Sequence, residues 1–369
     1  MPENQGSLGR IAVYGATGYT GRLVAAELAA AGADFVLAGR SREKLDALAS
    51  EIGGSADIAA VALDDEDGLR DLIEPCAAVI ACAGPFTVHG EPVLRAAAAG
   101  GTHYLDTTGE QGFMKRVFDH FGPIASESGA ALMTGMGFDY VPGDMIAALT
   151  AEGMGPVEEL SLNYAVAGFG PSRGTARTAL GQIAGEDIQW LQGEYVPGDR
   201  SISRGKFDFG GDIGLQRMTR YPAGEHVTVP RHVETRTVRT ALTASTTSPL
   251  AIGAPVLMTG MSLALKTPAR RILEAAVSRL PEGPAEGRRR AARFTIVCDV
   301  RAGSRRRRGV IRGEDVYGMT ARSITAGALR CASPAFDKSG ALAPSEAFDP
   351  ADFLPELSEF GVEHEIIAV

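Results

Sequence analysis

Gly15-Ala16-Thr17-Gly18-Tyr19-Thr20-Gly21 is the stretch whose reading decides the fold. It follows the apolar run Ile11-Ala12-Val13-Tyr14 and opens an Ala/Leu-rich run from Arg22 to Ala31, giving a strand, a Gly-rich turn and a helix. Glycines allow a tight turn and a close backbone approach, and the first N–H groups of the helix then point at an anion. The spacing G-x-x-G-x-x-G is a variant of the dinucleotide fingerprint G-x-G-x-x-G. Gly15, Thr17, Gly18, Tyr19, Thr20 and Gly21 are therefore candidates to hold a pyrophosphate. The competing reading is a strand–helix turn that binds nothing. A second strand at the expected distance, Phe35-Val36-Leu37-Ala38, favours the nucleotide site.

That second strand ends in Gly39-Arg40-Ser41-Arg42. An NAD site normally places Asp or Glu there to accept from the ribose 2′-OH. An arginine instead pairs with a 2′-phosphate, which a carboxylate would repel. Arg40, Ser41 and Arg42 thus point to NADP(H), the alternative being solvated residues on a surface loop.

Working outward, alternating strands and helices continue to about residue 152. A helix spans 41–51, with Leu45, Leu48 and Ile52 on one face. A third strand, 58–63, ends at Asp64-Asp65, where a carboxylate meets an adenine amino group or caps the next helix. The fourth strand, 77–81, stops at Cys82-Ala83-Gly84-Pro85-Phe86, a small-residue turn where a cofactor crosses the sheet edge. Helix 91–99 leads to a fifth strand, 102–105, followed by Asp106. A helix at 113–127 leads to a sixth strand, 130–134, and then Gly135-Met136-Gly137-Phe138-Asp139-Tyr140, with a helix at 145–152. This order predicts an α/β, Rossmann-type doubly wound parallel sheet.

Near Gly155-Pro156 the pattern changes. Strand candidates at 159–165, 227–229, 233–242, 294–300 and 309–315, with a helix at 175–185, predict an inserted α+β second domain. The expected boundaries are 1–153 for the nucleotide domain, completed by a returning helix at 320–331 and a tail to 369, and 154–317 for a substrate and dimerisation domain. The tail carries a stripe of Phe353, Leu354, Leu357 and Phe360 and a final strand at 364–369.

The 369 residues are ample for two domains, and a net charge of −9 argues against a general nucleic-acid role. Clusters at Arg305–Arg308 and Arg288–Arg290 read as a solvated loop and a helix end. The four cysteines lack metal-like spacing, so they read as reduced thiols; the six histidines form no ligand pattern, and no metal is expected. Met1–Gly9 lacks the features of a signal peptide, which sets the expectation of a cytoplasmic protein. The apolar stretch Pro249–Leu265 is short and broken by Gly and Pro; it predicts a homodimer interface, with membrane-surface contact the alternative.

Taken together, the Gly15–Gly21 turn, Ala38-Gly39-Arg40-Ser41, Ala83-Gly84-Pro85-Phe86, Thr102-His103-Tyr104-Leu105-Asp106, Gly109-Glu110, Gly137-Phe138-Asp139-Tyr140-Val141-Pro142 and Gly174-Thr175 resemble the saccharopine dehydrogenase-like family of NADP-binding oxidoreductases. The resemblance is dense in the first half of the chain and thin between 195 and 290. It implies a Rossmann domain interrupted by a substrate and dimerisation domain. The family includes lysine-pathway enzymes acting on a secondary amine and trans-acting enoyl reductases of lipid and polyketide assembly. This chain is short for the former and has Gly137-Phe138-Asp139-Tyr140 in place of their Gly-Leu-Asp-Pro-Gly turn, which favours the enoyl-reductase branch.

Hydride transfer needs a positioned nicotinamide and a proton donor. The strand ends that converge in such a sheet bring forward Tyr140, Asp139 and His89 as candidate proton donors or water holders. Tyr140 read blandly is a packed ring, Asp106 and Asp139 are loop holders, and His89 faces solvent. Cys82 to Phe86, Asp64, Asp106, Gly137 and Phe138 are candidate cofactor contacts. Glu110, Arg173, Thr175 and Arg177 are candidate substrate contacts, the arginines suiting a carboxylate or a phosphopantetheine phosphate, or else lying on the surface. Three functions follow: reduction of a C=C bond in a small or carrier-bound substrate, oxidoreduction of an imine or secondary amine, or a non-enzymatic NADP-binding regulator.

Overall fold

The computed structural model describes residues 8–53, 56–184, 187–198, 203–247 and 275–368. The chain divides into two compact units: one formed by the residues up to Thr108, Phe113–Gly137 and Tyr317–Phe348, the other by Gly109–Gly112, Phe138–Val316 and Asp349–Val369.

The first unit is built on β1 (Ile11–Tyr14), β2 (Phe35–Gly39), β3 (Asp57–Ala60), β4 (Ala78–Ala81), β5 (His103–Asp106) and β6 (Ala131–Met133). With a late two-residue strand, β15 (Gly340–Ala341), they form one parallel sheet in the order β15-β6-β5-β4-β1-β2-β3. β1, β2 and β4 are buried along their whole length, so they are continuous apolar runs and not alternating ones. The chain winds from β1 to β3 in one direction and then restarts on the other side of β1 with β4. The switch point of the sheet therefore lies between β1 and β4, where doubly wound folds bind ligands.

The helices of this unit are set by their ends. α1 (Tyr19–Ala30) buries Gly21, Val24, Ala25 and Leu28. α2 (Arg42–Glu51) is capped by Ser41 and buries Leu45 and Leu48, and α3 (Glu66–Ile73) is capped by Asp65. α4 (Phe86–His89) runs directly into α5 (Glu91–Gly100), which Gly101 ends at φ +79°. The expected single helix at 113–127 is α6 (Gln111–Arg116), a π turn (Val117–Phe121) and α7 (Gly122–Ser128). The returning helix, Val316–Cys331, carries Tyr317, whose ring meets Tyr19 edge-on at 5.1 Å, and Arg322, which pairs with Glu27 at 3.0 Å.

The second unit is a mixed sheet around β7 (Glu159–Ala167). Its other strands are β10 (Ser203–Asp208), β11 (Leu215–Arg220), β12 (Val238–Thr243), β13 (Arg293–Ala302), β14 (Arg305–Glu314) and β16 (Glu363–Ala368), in the order β10-β11-β12-β7-β13-β14-β16. Among the described strands of this sheet, only β7 and β12 pair in parallel. A hairpin of β8 (Ile188–Leu191) and β9 (Glu194–Pro197) stands apart from this sheet. α8 (Val141–Ala151), α9 (Arg173–Ala184) and α10 (Glu225–His232) belong to the same unit, α8 lying against β13 and β14.

Four expectations are corrected. Residues 227–229 are not a strand: they lie in α10, where packing overrides the β preference of Val227, Thr228 and Val229, all of them buried. The third strand is 57–60, earlier and shorter than 58–63. Residues 138–153 and the tail from Asp349 fall in the second unit, not the first, because α8 packs on β13 and β14 and β16 pairs with β14. The arginine run is not a loop but the start of β14, and it closes the C-terminal end of α8. Arg307 donates to Thr150 O at 3.0 Å and Glu152 O at 2.6 Å, and Arg305 donates to Gly153 O at 3.3 Å and to Met154 O. Those carbonyls have no partner within the helix, and a cation also suits the negative end of its dipole. Arg288–Arg290 do end a short helix, and Arg289 is paired with Asp315 at 3.2 Å.

No helix among the described residues is long and apolar enough to cross a membrane. The apolar stretch Pro249–Leu265 lies outside the described residues.

Candidate active site

In the first unit the Gly-rich turn joins β1 to α1. Gly15 has φ +80°, and a Cβ there would stand 2.9 Å from the backbone nitrogen of Ala83. A Cβ on Gly21 would collide with the carbonyl oxygen of Gly15 and lie 2.8 Å from the Cα of Ala16. These two glycines let the turn close on itself and on the segment after β4. Gly18 is the N-cap of α1 and is exposed, and no side chain caps the helix. The positive end of α1 is thus presented on a glycine floor, which fits a pyrophosphate.

Arg40 follows β2 and is exposed; among the described residues no hydrogen bond or ion pair engages its guanidinium. The other residues of that cluster serve α2: Ser41 Oγ accepts from Lys44 N, and Arg42 pairs with Asp46 at 3.1 Å. Asp64 is exposed beside Asp65, whose Oδ1 accepts from Gly68 N at 2.9 Å and which is therefore the cap. After β4 come Cys82, Ala83, Gly84 and Pro85, with Phe86 buried against Phe113 at 5.7 Å. Burial pushes the Cys82 thiol up to about 12, so it stays protonated at neutral pH. Asp106 is fully buried at the end of β5; its Oδ1 accepts from Thr108 N at 2.9 Å and Gly135 N at 3.1 Å, making it a loop holder. Gly137 is buried against Thr320, whose Cγ2 would lie 2.6 Å from an added Cβ. His89 is exposed at the end of α4. Since the strands are parallel, Gly15, Arg40, Cys82–Phe86, Asp106 and Gly135–Gly137 all follow the C-terminal edge of one sheet.

In the second unit Tyr140, Asp139 and Phe138 enter a group of rings and carboxylates. Phe138 packs on Phe294 at 5.0 Å and Tyr164 at 6.0 Å, so its ring is part of this unit's core. Tyr140 is only 1% exposed and its hydroxyl donates to Gly109 O at 2.8 Å. The ring is packed, and the hydroxyl has a carbonyl partner. Among the described residues Asp139 holds no loop N–H; its Oδ1 accepts from the Tyr221 hydroxyl at 2.7 Å. Beside them the Tyr164 hydroxyl donates to Glu225 Oε1, a pair that fits only because Gly143 leaves room for it. Glu225 is fully buried, and its Oε2 has no hydrogen-bond partner. Burial raises Glu225 to about 8, against the opposing pull of the Tyr164 hydroxyl. Burial also raises Asp139, opposed by its bond from Tyr221. Tyr164, Tyr221 and Glu225 were not signalled by the sequence: they come from β7, the segment after β11 and the start of α10, with no shared motif.

The candidate substrate residues are spread through this unit. Glu110 is buried and accepts from Thr178 Oγ1 at 3.2 Å. Arg173 donates to Leu280 O at 2.8 Å, and the Thr175 hydroxyl lies 3.0 Å from Ser172 Oγ at the start of α9. Arg177 is exposed on α9.

Residues 11–120 match the family model of the saccharopine dehydrogenase NADP binding domain. The region so matched is similar to that NADP binding domain and contains the Gly-rich turn and Arg40. The trans-acting enoyl reductase of Mycobacterium bovis is 37% identical over 142 residues, which make up 37% of this chain and 34% of that protein. A Mycobacterium tuberculosis relative that carries the same name provisionally is 39% identical over 141 residues, 37% of this chain and 33% of its own. The match thus spans about a third of the length of these relatives. The fold of an apo saccharopine dehydrogenase (L-Glu forming) from Saccharomyces cerevisiae superposes with a TM-score of 0.61 at 15% identity, covering 98% of this chain and 100% of that one.

Proposed function

We propose that the chain is an NADPH-dependent oxidoreductase that reduces a C=C bond of a lipid or polyketide-type substrate, free or held on a carrier. The observation that carries this reading is the glycine cradle at the uncapped start of α1, in a region matching an NADP-binding domain. Gly15, Gly18 and Gly21 would hold the pyrophosphate and Arg40 the 2′-phosphate. The bound cofactor supplies a hydride. The choice of a C=C bond is supported by relatives named trans-acting enoyl reductase, 33–37% identical over 37% of this chain and 34% of their own length. A homodimer is part of the proposal, supported by the apolar composition of Pro249–Leu265, and sedimentation at micromolar concentration reads it.

Purified protein incubated with NADPH and a panel of enoyl thioesters, cyclic imines and keto acids tests the function through the absorbance of the reduced cofactor. Oxidation of NADPH with the enoyl thioesters is the expected result. Turnover confined to the imines moves the chain to the secondary-amine reading. NADPH binding without turnover of any member leaves a binding protein.

A further inference from the structure

The returning helix Val316–Cys331 belongs to the first unit from Tyr317 onward. Its direction is fixed at both ends. Near its start Thr320 stands against Gly137, just beyond β6 at the C-terminal edge of the parallel sheet. Just past its end Ala332 O accepts from Gly9 N at 2.9 Å, ahead of β1 at the opposite edge. Between them Gly327 lies against Leu105 of β5. The helix therefore starts at the edge that carries the Gly-rich turn and runs against the strands, as α1 does. Its contacts with α1 come in the same order along both helices. The Tyr317 ring meets the Tyr19 ring at 5.1 Å and 88°, and further on Arg322 pairs with Glu27. The two helices are parallel, with their first turns side by side.

Tyr19 is the first residue of α1, next to the N-cap Gly18, and no side chain caps that helix. A capping oxygen would occupy the place an anion takes at a helix start, so a phosphate-binding helix does without one. The order of its first turn has to come from its flanks. Gly15 and Gly21 supply close packing on one side. On the other, the half-buried ring of Tyr19 rests on Tyr317, which is only 7% exposed. An edge-to-face pair sets the direction of a ring as well as its distance.

We propose that Tyr317 is a positioning residue of the nucleotide site: its ring pins Tyr19 and so orders the uncapped first turn of α1 before the pyrophosphate binds. The inference rests on the NADP-binding reading given above. Ordering the turn in advance removes part of the entropy that binding otherwise costs. The pyrophosphate is common to NADPH and NADH, whereas Arg40 is assigned to the 2′-phosphate alone. Tyr317 therefore acts on both cofactors equally, and Arg40 on one.

Calorimetric titration of NADPH and NADH into wild type, Tyr317→Phe, Tyr317→Leu, Tyr19→Leu and the double variant Tyr19→Leu/Tyr317→Leu tests this. Tyr317→Leu removes the ring pair and should weaken both cofactors by the same factor, about threefold to tenfold, with their ratio unchanged. Tyr317→Phe keeps the ring and should stay within about twofold of wild type. The two Leu substitutions break one contact, so the double variant should bind no more weakly than Tyr19→Leu alone. A ring that only packs would lower the melting temperature of Tyr317→Leu and leave both affinities at the wild-type value. That result, additive losses in the double variant, or a loss confined to NADPH overturns the assignment and leaves the nucleotide site standing. Should Tyr317→Leu fail to fold, Tyr19→Leu carries the same expectation of equal weakening, and unchanged or unequal affinities there overturn the assignment. A wild type that binds neither cofactor overturns the NADP-binding reading, and this assignment with it.

Discussion

The guanidinium of Arg40 is the group on which the choice of cofactor turns, and Arg40→Ala isolates it. The side chain is exposed directly after β2, at the sheet edge that also carries the Gly-rich turn, and no carboxylate of the described residues claims it. Arg42, two residues on, is held by Asp46 at 3.1 Å and serves as the comparison. A hydrogen bond to a charged group contributes about 1.5–3 kcal/mol. Exposure and salt screening bring a single surface contact to the lower end, near 1.4 kcal/mol, which is about tenfold in affinity. NADPH should therefore bind the wild type at least about tenfold tighter than NADH, and Arg40→Ala should bring the two together by weakening NADPH alone. Arg42→Ala should change the ratio by less, because its guanidinium must first leave Asp46. Calorimetric titration of both cofactors into the three proteins, at low and at high salt, measures these ratios. Equal affinities in the wild type, or a preference that survives in Arg40→Ala and vanishes in Arg42→Ala, would refute the reasoning.

Three other perturbations follow from the same geometry. Gly21→Ala places a methyl group on the Gly15 carbonyl, so the turn must open; NADPH binding should fall by more than about tenfold and the melting temperature should drop. Arg307→Ala strips two carbonyl partners from the end of α8, which should cost about 1–2 kcal/mol in denaturant unfolding, while exposed Arg306→Ala should stay within about 0.5 kcal/mol. Glu225 gives a pH dependence of stability. Its carboxyl is raised from 4.5 to about 8 in the folded protein, so the folded state keeps a proton that the unfolded state releases between those values. The stability linked to that proton is complete below 4.5 and is lost as pH rises through 8. Glu225→Gln cannot ionise and should flatten the fall in melting temperature across this window; an unchanged slope would show that the carboxyl is not buried as described.

The first unit was legible because its information is local. Each βα step carries its own strand run, turn and cap within some 30 residues, so reading them in order yields the parallel sheet and its binding edge. What failed was short or settled elsewhere. Gly340–Ala341 is too small to show a period and is a strand only because β6 offers its edge. Val227, Thr228 and Val229 have the composition of a strand, yet the sixth residue of their helix is Pro230 and their burial is decided by partners far away in sequence. The arginine run looked like a solvated loop because charge is the usual mark of exposure; here the guanidinium groups of Arg305 and Arg307 bind the carbonyls at the end of α8, more than 150 residues earlier.

The candidate site divides in the same way. The nucleotide cradle is a property of seven consecutive residues, and its chemistry could be read from them. The cluster of phenols and carboxylates in the second unit is not contiguous: Asp139, Tyr164, Tyr221 and Glu225 lie on four separate segments and meet only in the folded unit. The sequence drew attention to the turn at Gly137–Tyr140, but position could not say which partners its side chains meet. Tyr140 is the more conspicuous residue, and its phenol donates to Gly109 O; Asp139 accepts from Tyr221. A buried cluster of this kind is costly unless its members satisfy one another, since an unpaired carboxylate in such surroundings neutralises itself by holding a proton. That cost links structure to chemistry here. The same desolvation that raises Glu225 to about 8 keeps a proton on a carboxyl that would otherwise be ionised at neutral pH, and it pushes Asp139 in the same direction against the bond from Tyr221.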